Sequence, residues 1–116
     1  AVPNHSAFLA EQRRMATEPG PARLPALLLW AREGEGDPLG VEMRVFVPLS
    51  GIPEDPATGS AATALGALLE RLGVARRLTI RQGLPIGRPS LLEVESGAAG
   101  TFVSGRCVAV FEGRIM

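Results

Sequence analysis

Lysine is absent from this chain: all 12 of its basic residues are arginine. That excludes Schiff-base chemistry on lysine and the phosphate-binding lysine of a P-loop. Cysteine and histidine occur once each, as Cys107 and His5. A single cysteine forms no internal disulfide, and one of each residue is too few for a cysteine- or histidine-based metal site. No glycine-rich nucleotide loop is visible either, so neither a metal nor an organic cofactor is expected. Apolar runs fall short of the roughly 18 residues that span a membrane, and no secretory signal is recognisable, so a cytoplasmic protein with no membrane partner is expected. Long blocks of like charge are missing as well, and 12 acidic residues balance the 12 basic ones. Such a surface gives no reason to expect a nucleic-acid partner.

What is present is enough apolar material for one core. A chain of 116 residues that is 46% hydrophobic is expected to be a single domain over residues 1–116. Its densest apolar stretch starts at Pro56 and runs without a charge to Leu69. Leu65, Leu68, Leu69 and Leu72 recur at helical spacing, with Ala61, Ala62, Ala64 and Ala67 on the other faces, which predicts a helix over 58–72 that is buried all round. Gly73 is the expected C-terminal stop.

The helix entrance is polar. Glu54, Asp55, Pro56, Ala57, Thr58, Gly59 and Ser60 combine two carboxylates, two hydroxyls and a glycine. Asp55 before Pro56 is an ordinary N-cap pair, yet Thr58 and Ser60 also cap, and one helix needs one cap. The surplus points to a ligand. Free N–H groups and the positive dipole end of a helix suit an anion, and the missing side chain of Gly59 lets a carboxylate approach the N–H groups of Gly59, Ser60 and Ala61. Glu54 reads as a solvated neighbour, Cys107 as a small buried residue in a strand, and His5 as without a site role.

Around this helix the chain reads mostly as strands. A leading helix of about ten residues, capped by Asn4 or Ser6, precedes a loop over 17–25. Residues 26–32 suit a buried strand. Residues 41–47 alternate, with Val41, Met43, Val45 and Val47 on one face, and pair with it antiparallel. Strands follow at 77–82, 91–95 and 101–112, with a connection over 84–89, a hairpin loop over 96–100 and a bend at Gly105. The fold class is α+β, with a curved, mainly antiparallel, barrel-like sheet wrapped around one central buried helix.

These residues also resemble a family. Arg44, Val45, Phe46, Val47 and Pro48, then Gly51, the block from Glu54 to Ala62, Gln82–Gly83 and Gly87–Arg88–Pro89–Ser90 are similar to the C-terminal half of PhzF-like phenazine-biosynthesis proteins. The similarity runs from about Ala26 onward, and 105–115 look like the family's terminal strands. It implies one half of a diaminopimelate-epimerase-like fold, and an isomerase that moves a proton on a small anionic metabolite without a cofactor. By resemblance Asp55 and Ser60 are the catalytic residues, and Thr58, Gly59, Ser60 and Ala61 bind substrate. Asp55 stands where racemases of the same fold have a cysteine, which disfavours two-cysteine racemisation. The family's general-base glutamate and site histidine belong to the other half, so the partner expected is that N-terminal half or a second copy of this chain. A lone half would be a fragment, a processed product, a truncated gene product or one subunit, and close to inactive by itself. The alternative is a noncatalytic carboxylate-binding or assembly module that keeps the fold.

Overall fold

The computed structural model describes residues 26–47 and 51–116, together with Ala10, Arg13 and Arg14, which are helical and exposed. The rest of the expected leading helix, the loop over 17–25, His5 and Pro48 lie outside the described residues.

The fold is α+β. In chain order it comprises β1 (Leu27–Glu33), β2 (Leu39–Val47), β3 (Ile52–Asp55), α1 (Gly59–Arg71), β4 (Arg77–Gln82), a 3-10 turn (Leu84–Ile86), β5 (Ser90–Gly97) and β6 (Gly100–Gly105). The six strands form one sheet in the order β1-β2-β4-β5-β6, with β3 paired to β2 beside that path. Four pairings are antiparallel, and β2 with β4 is parallel. The crossover from β3 through α1 into β4 makes that parallel pair possible, since parallel neighbours need a long connection.

The apolar face of β2 is the spine of the core. Leu39, Val41, Met43 and Val45 alternate along it and are at most 1% exposed. They cluster with Leu78 and Ile80 of β4, Val94 of β5, and Ala62, Leu65 and Leu69 of α1. The buried positions of α1 are Ala62, Leu65, Gly66 and Leu69, which is the one-sided i, i+3, i+4, i+7 pattern. Gly66 lets the helix approach the sheet, because a Cβ there would lie 2.4 Å from Val94 Cγ1.

Several expectations are corrected. The sheet is open, not a closed barrel-like wrap: it has edges at β1 and β6. The helix is not buried all round, since Leu68 is 48% and Leu72 64% exposed. Absence of charge identified an apolar helix, but α1 packs mainly over β5 and β6, and one sheet face covers one side of a helix. The edge strand β1 lies away from that contact, so Leu29 and Trp30 are exposed instead of core. Residues 51–58 are not simply loop: β3 forms there against β2. The hairpin turn is tighter than expected, with Gly97 already paired to Gly100. The last strand stops at Gly105, and 106–116 carry no regular structure and are exposed. Cys107 is therefore exposed, not buried. Gly73, at φ +69°, ends α1 as expected.

Candidate functional site

The register explains where the site lies. Gln82, the last residue of β4, pairs with Met43. Asp55, the last residue of β3, pairs with Val45 two positions further along β2. Strands running in opposite directions along β2 thus bring their C-terminal ends together, at the entrance of α1. Glu54 and Asp55, as consecutive strand residues, point to opposite faces. Glu54 is no solvated neighbour: its side chain is 8% exposed and both oxygens accept from Arg44, at 2.8 and 3.0 Å. Arg44 also lies over the Phe46 ring, 5.1 Å from its centroid. The hydrogen bond and charge of Glu54 raise the Arg44 pKa above its ordinary value, and the two parallel hydrogen bonds clamp β3 to β2.

Asp55 is half-buried on the other face. Its Oδ2 accepts from the Thr58 hydroxyl at 2.6 Å, while Oδ1 accepts no hydrogen bond from any described residue. Thr58 is the N-cap residue by position, at φ −121° and ψ 93°, but its hydroxyl makes no cap bond. The helical ladder starts only with the Ala62 N–H donating to the Thr58 carbonyl at 3.0 Å. The N–H groups of Gly59, Ser60 and Ala61 therefore have no acceptor among the described residues, and the first turn of α1 has no acidic side chain. This is an uncapped helix start beside a carboxylate. Ser60 is exposed, and its hydroxyl has no partner among the described residues. Beside Gly59 there is open space: a Cβ would meet nothing within 4 Å.

Behind this mouth sits a residue whose role was not read from the sequence. Gln82 is 1% exposed. Its Oε1 accepts the Thr58 N–H at 3.0 Å, and its Nε2 donates to the Asp55 carbonyl at 2.7 Å and to Thr58 Oγ1 at 2.9 Å. Ser90 Oγ donates to the Pro56 carbonyl at 2.7 Å. Gly83, at φ +79°, is needed here because a Cβ would lie 2.1 Å from the Arg88 carbonyl oxygen and 2.9 Å from that of Pro56. Gln82–Gly83 and Ser90, which carry part of the family resemblance and flank the connection expected over 84–89, are thus the floor of the candidate site. A polar residue at the third inward position of β4, after Leu78 and Ile80, was the available signal. Arg88 is exposed, and its backbone N–H donates to the Gly83 carbonyl at 2.9 Å.

An open cavity of about 540 Å³ adjoins this loop, lined by Ala57, Ser90, Leu92, Ser104 and Arg106 among others. A larger hollow of about 1020 Å³ lies at the opposite end of α1, between Glu70, Gly73, Arg76 and Glu95, and touches none of the candidate residues. Its walls mix Arg76 and Arg77 with Asp37, Glu70 and Glu95, beside the negative dipole end of the helix. Among the described residues no group of His, Cys, Asp and Glu side chains could hold a metal ion, and no helix is long and apolar enough to cross a membrane.

Residues 26–113 match the family described as phenazine biosynthesis-like protein. An uncharacterized isomerase of Deinococcus radiodurans is 45% identical over 89 residues, covering 63% of this chain and 28% of that protein. The trans-2,3-dihydro-3-hydroxyanthranilate isomerase of Pseudomonas aeruginosa is 40% identical over 79 residues, 61% of this chain and 28% of its own length. An uncharacterized isomerase of Mesorhizobium japonicum is 32% identical over 97 residues, covering 75% of this chain and 32% of that protein. The matched part of the chain thus covers only about a third of the length of these curated relatives, which are named isomerases.

Proposed function

The chain belongs to the phenazine biosynthesis-like family, and from that premise we propose that it supplies one half of the active site of a cofactor-independent isomerase. On this reading it is half of a diaminopimelate-epimerase-like fold, with the open sheet and α1 completed by a second half. The substrate is a small metabolite bearing a carboxylate. The observation that carries the proposal is the uncapped start of α1, where the N–H groups of Gly59, Ser60 and Ala61 have no acceptor among the described residues and lie beside Asp55. The substrate carboxylate accepts from those donors and from the Ser60 hydroxyl, in the field of the helix dipole. Thr58 acts by holding Asp55. Asp55, with Oδ1 free, orients the substrate or carries a proton between neighbouring atoms, and the other half brings the general base. A general base contributes roughly 10² to 10⁴ in rate, so this half alone is close to inactive. The exposed Leu68 and Leu72, four residues apart at the end of α1, are apolar surface that a partner would cover. The partner proposed first is the N-terminal half, since the relatives are more than twice as long as this chain; a second copy is the other candidate. The compartment proposed is the cytoplasm.

The test is complementation. This chain is mixed with the separately expressed N-terminal half of the Deinococcus relative, in deuterated water, with trans-2,3-dihydro-3-hydroxyanthranilate as the probe. Isomerisation that requires both halves and is lost in Asp55→Asn is expected. Turnover by this chain alone would contradict the half-site reading, and carboxylate binding without turnover in the mixture would leave a binding module.

A further inference from the structure

Gln82 is engaged through all three of its side-chain hydrogen bonds, and their partners fix its orientation. The Thr58 N–H can only donate and the Asp55 carbonyl can only accept, so Oε1 must face the first and Nε2 the second. The second Nε2 hydrogen then points at Thr58 Oγ1, 2.9 Å away. An amide nitrogen accepts nothing, so Thr58 Oγ1 is the acceptor in that contact. Its own proton is thereby directed to Asp55 Oδ2, at 2.6 Å. The chain of donors runs one way: Gln82 to Thr58 to Asp55. We propose that Gln82 is a positioning residue that sets this order, locking Asp55 through Oδ2 in one side-chain conformer and leaving Oδ1 as the oxygen presented to the substrate. The inference rests on the reading of Asp55 as a site residue. It also accounts for Thr58 standing at the cap position yet capping nothing: its hydroxyl oxygen accepts from Gln82 and its proton serves Asp55, so the hydroxyl is turned away from the first-turn N–H groups. Gln82 and Thr58 are fully engaged in this chain of donors, and a satisfied polar network of this kind holds its geometry; only Asp55 Oδ1 is left open.

The experiment is NMR on the 116-residue chain, independent of any substrate. Both Gln82 side-chain amide protons should exchange with solvent on the order of tenfold or more slower than those of an exposed glutamine. Three-bond couplings to the Asp55 carboxylate carbon should report a single χ1 rotamer in the native chain and in Thr58→Ser, which keeps the hydroxyl. They should average in Thr58→Val and in Gln82→Met, the latter of similar volume and apolar. Thr58→Val leaves the buried amide in place, so it carries the test if Gln82→Met does not fold. Fast exchange of the Gln82 amide protons, or an Asp55 rotamer still locked in folded Thr58→Val, would overturn the inference. Slow exchange and a locked Asp55 in a chain that binds no carboxylate would support it while contradicting the proposed function.

Discussion

Two glycines of α1, Gly59 and Gly66, should respond in opposite directions to the same substitution. In both cases alanine is the better helix former, by about 1 kcal/mol in a helix interior and less in the first turn, where helical order is already loose. At Gly59 a new Cβ meets nothing within 4 Å, so only the propensity gain remains, and Gly59→Ala should stabilise by up to about 1 kcal/mol. At Gly66 the Cβ would lie 2.4 Å from Val94 Cγ1 and 3.1 Å from Ser96 Oγ. Val94 is β-branched, stiff and 3% exposed, so the helix must lift off β5. Overpacking of this kind costs about 1–3 kcal/mol, which exceeds the propensity gain over most of its range. Gly66→Ala should therefore destabilise by about 1 kcal/mol net, up to about 2. Urea unfolding with linear extrapolation is the assay, with an unchanged slope as the sign that the same structure is unfolding. Stabilisation by both alanines would refute the close approach of α1 to β5. Destabilisation by Gly59→Ala would mean that some part of the fold occupies the space reserved here for a ligand.

Other outcomes follow from the same geometry. Leu65→Ala should cost about 2–5 kcal/mol, because Leu65 is 3% exposed and large-to-small core changes leave a cavity; a urea-derived loss below about 1 kcal/mol would mean that α1 is peripheral. Glu54→Ala should cost about 1–3 kcal/mol by leaving Arg44 without its charged acceptor, and Glu54→Gln should recover part of that; a neutral Glu54→Ala would show that the clamp of β3 to β2 contributes nothing. Asp37 and Glu33 are held below their ordinary pKa values chiefly by hydrogen bonds from Arg77 and Arg81. Since the folded-state values are the lower ones, this stabilisation is present above the ordinary carboxylate range and is lost as pH falls through the depressed values. Both pairs are exposed, so the effect is small and screened by salt. Acidification from about pH 6 to about pH 3 should therefore lower the thermal midpoint more in the native chain than in an Arg77→Ala, Arg81→Ala double variant, and equal falls would discount the pairs.

The sequence disclosed the local structure well where one face of an element is buried and the other is not. The alternation from Val41 to Val47 identified β2 and its face. Leu78 and Ile80 did the same for β4, and the expected bounds of 77–82 match. Gly73 marked the helix end because it takes the left-handed conformation that glycine adopts without strain. The long-range features were not legible. An uncharged run of alanine and leucine does not say how many of its faces are covered, and α1 leaves Leu68 and Leu72 in the open. The parallel pairing of β2 with β4 depends on the crossover through α1, which no local period encodes. Val108 and Val110 alternate with smaller residues like a strand, yet 106–116 lie exposed, since alternation alone supplies no partner edge. At the site, the surplus of polar groups drew attention to Asp55, Thr58, Gly59 and Ser60, and the structure gathers them at one helix entrance. Gln82 was noticed only as part of the Gln82–Gly83 pair that carries the resemblance, and no role was read for its side chain, because locally it is the end of a strand. Its importance comes from the meeting of β3 and β4 on β2, a fact of topology.

The central claim is that the free donors at the start of α1, beside Asp55, bind a carboxylate. The most direct measurement is a titration of the isotopically labelled 116-residue chain with benzoate, followed through its backbone amide resonances. Saturable shifts concentrated at Gly59, Ser60 and Ala61, with little change at Glu70 to Gly73 on the opposite end of the helix, are predicted. Shifts should weaken in Ser60→Ala and disappear when the anion is replaced by benzamide. Shifts scattered over the arginine-bearing surface, or none at Gly59 to Ala61 up to concentrations at which the other amides move, would contradict the claim.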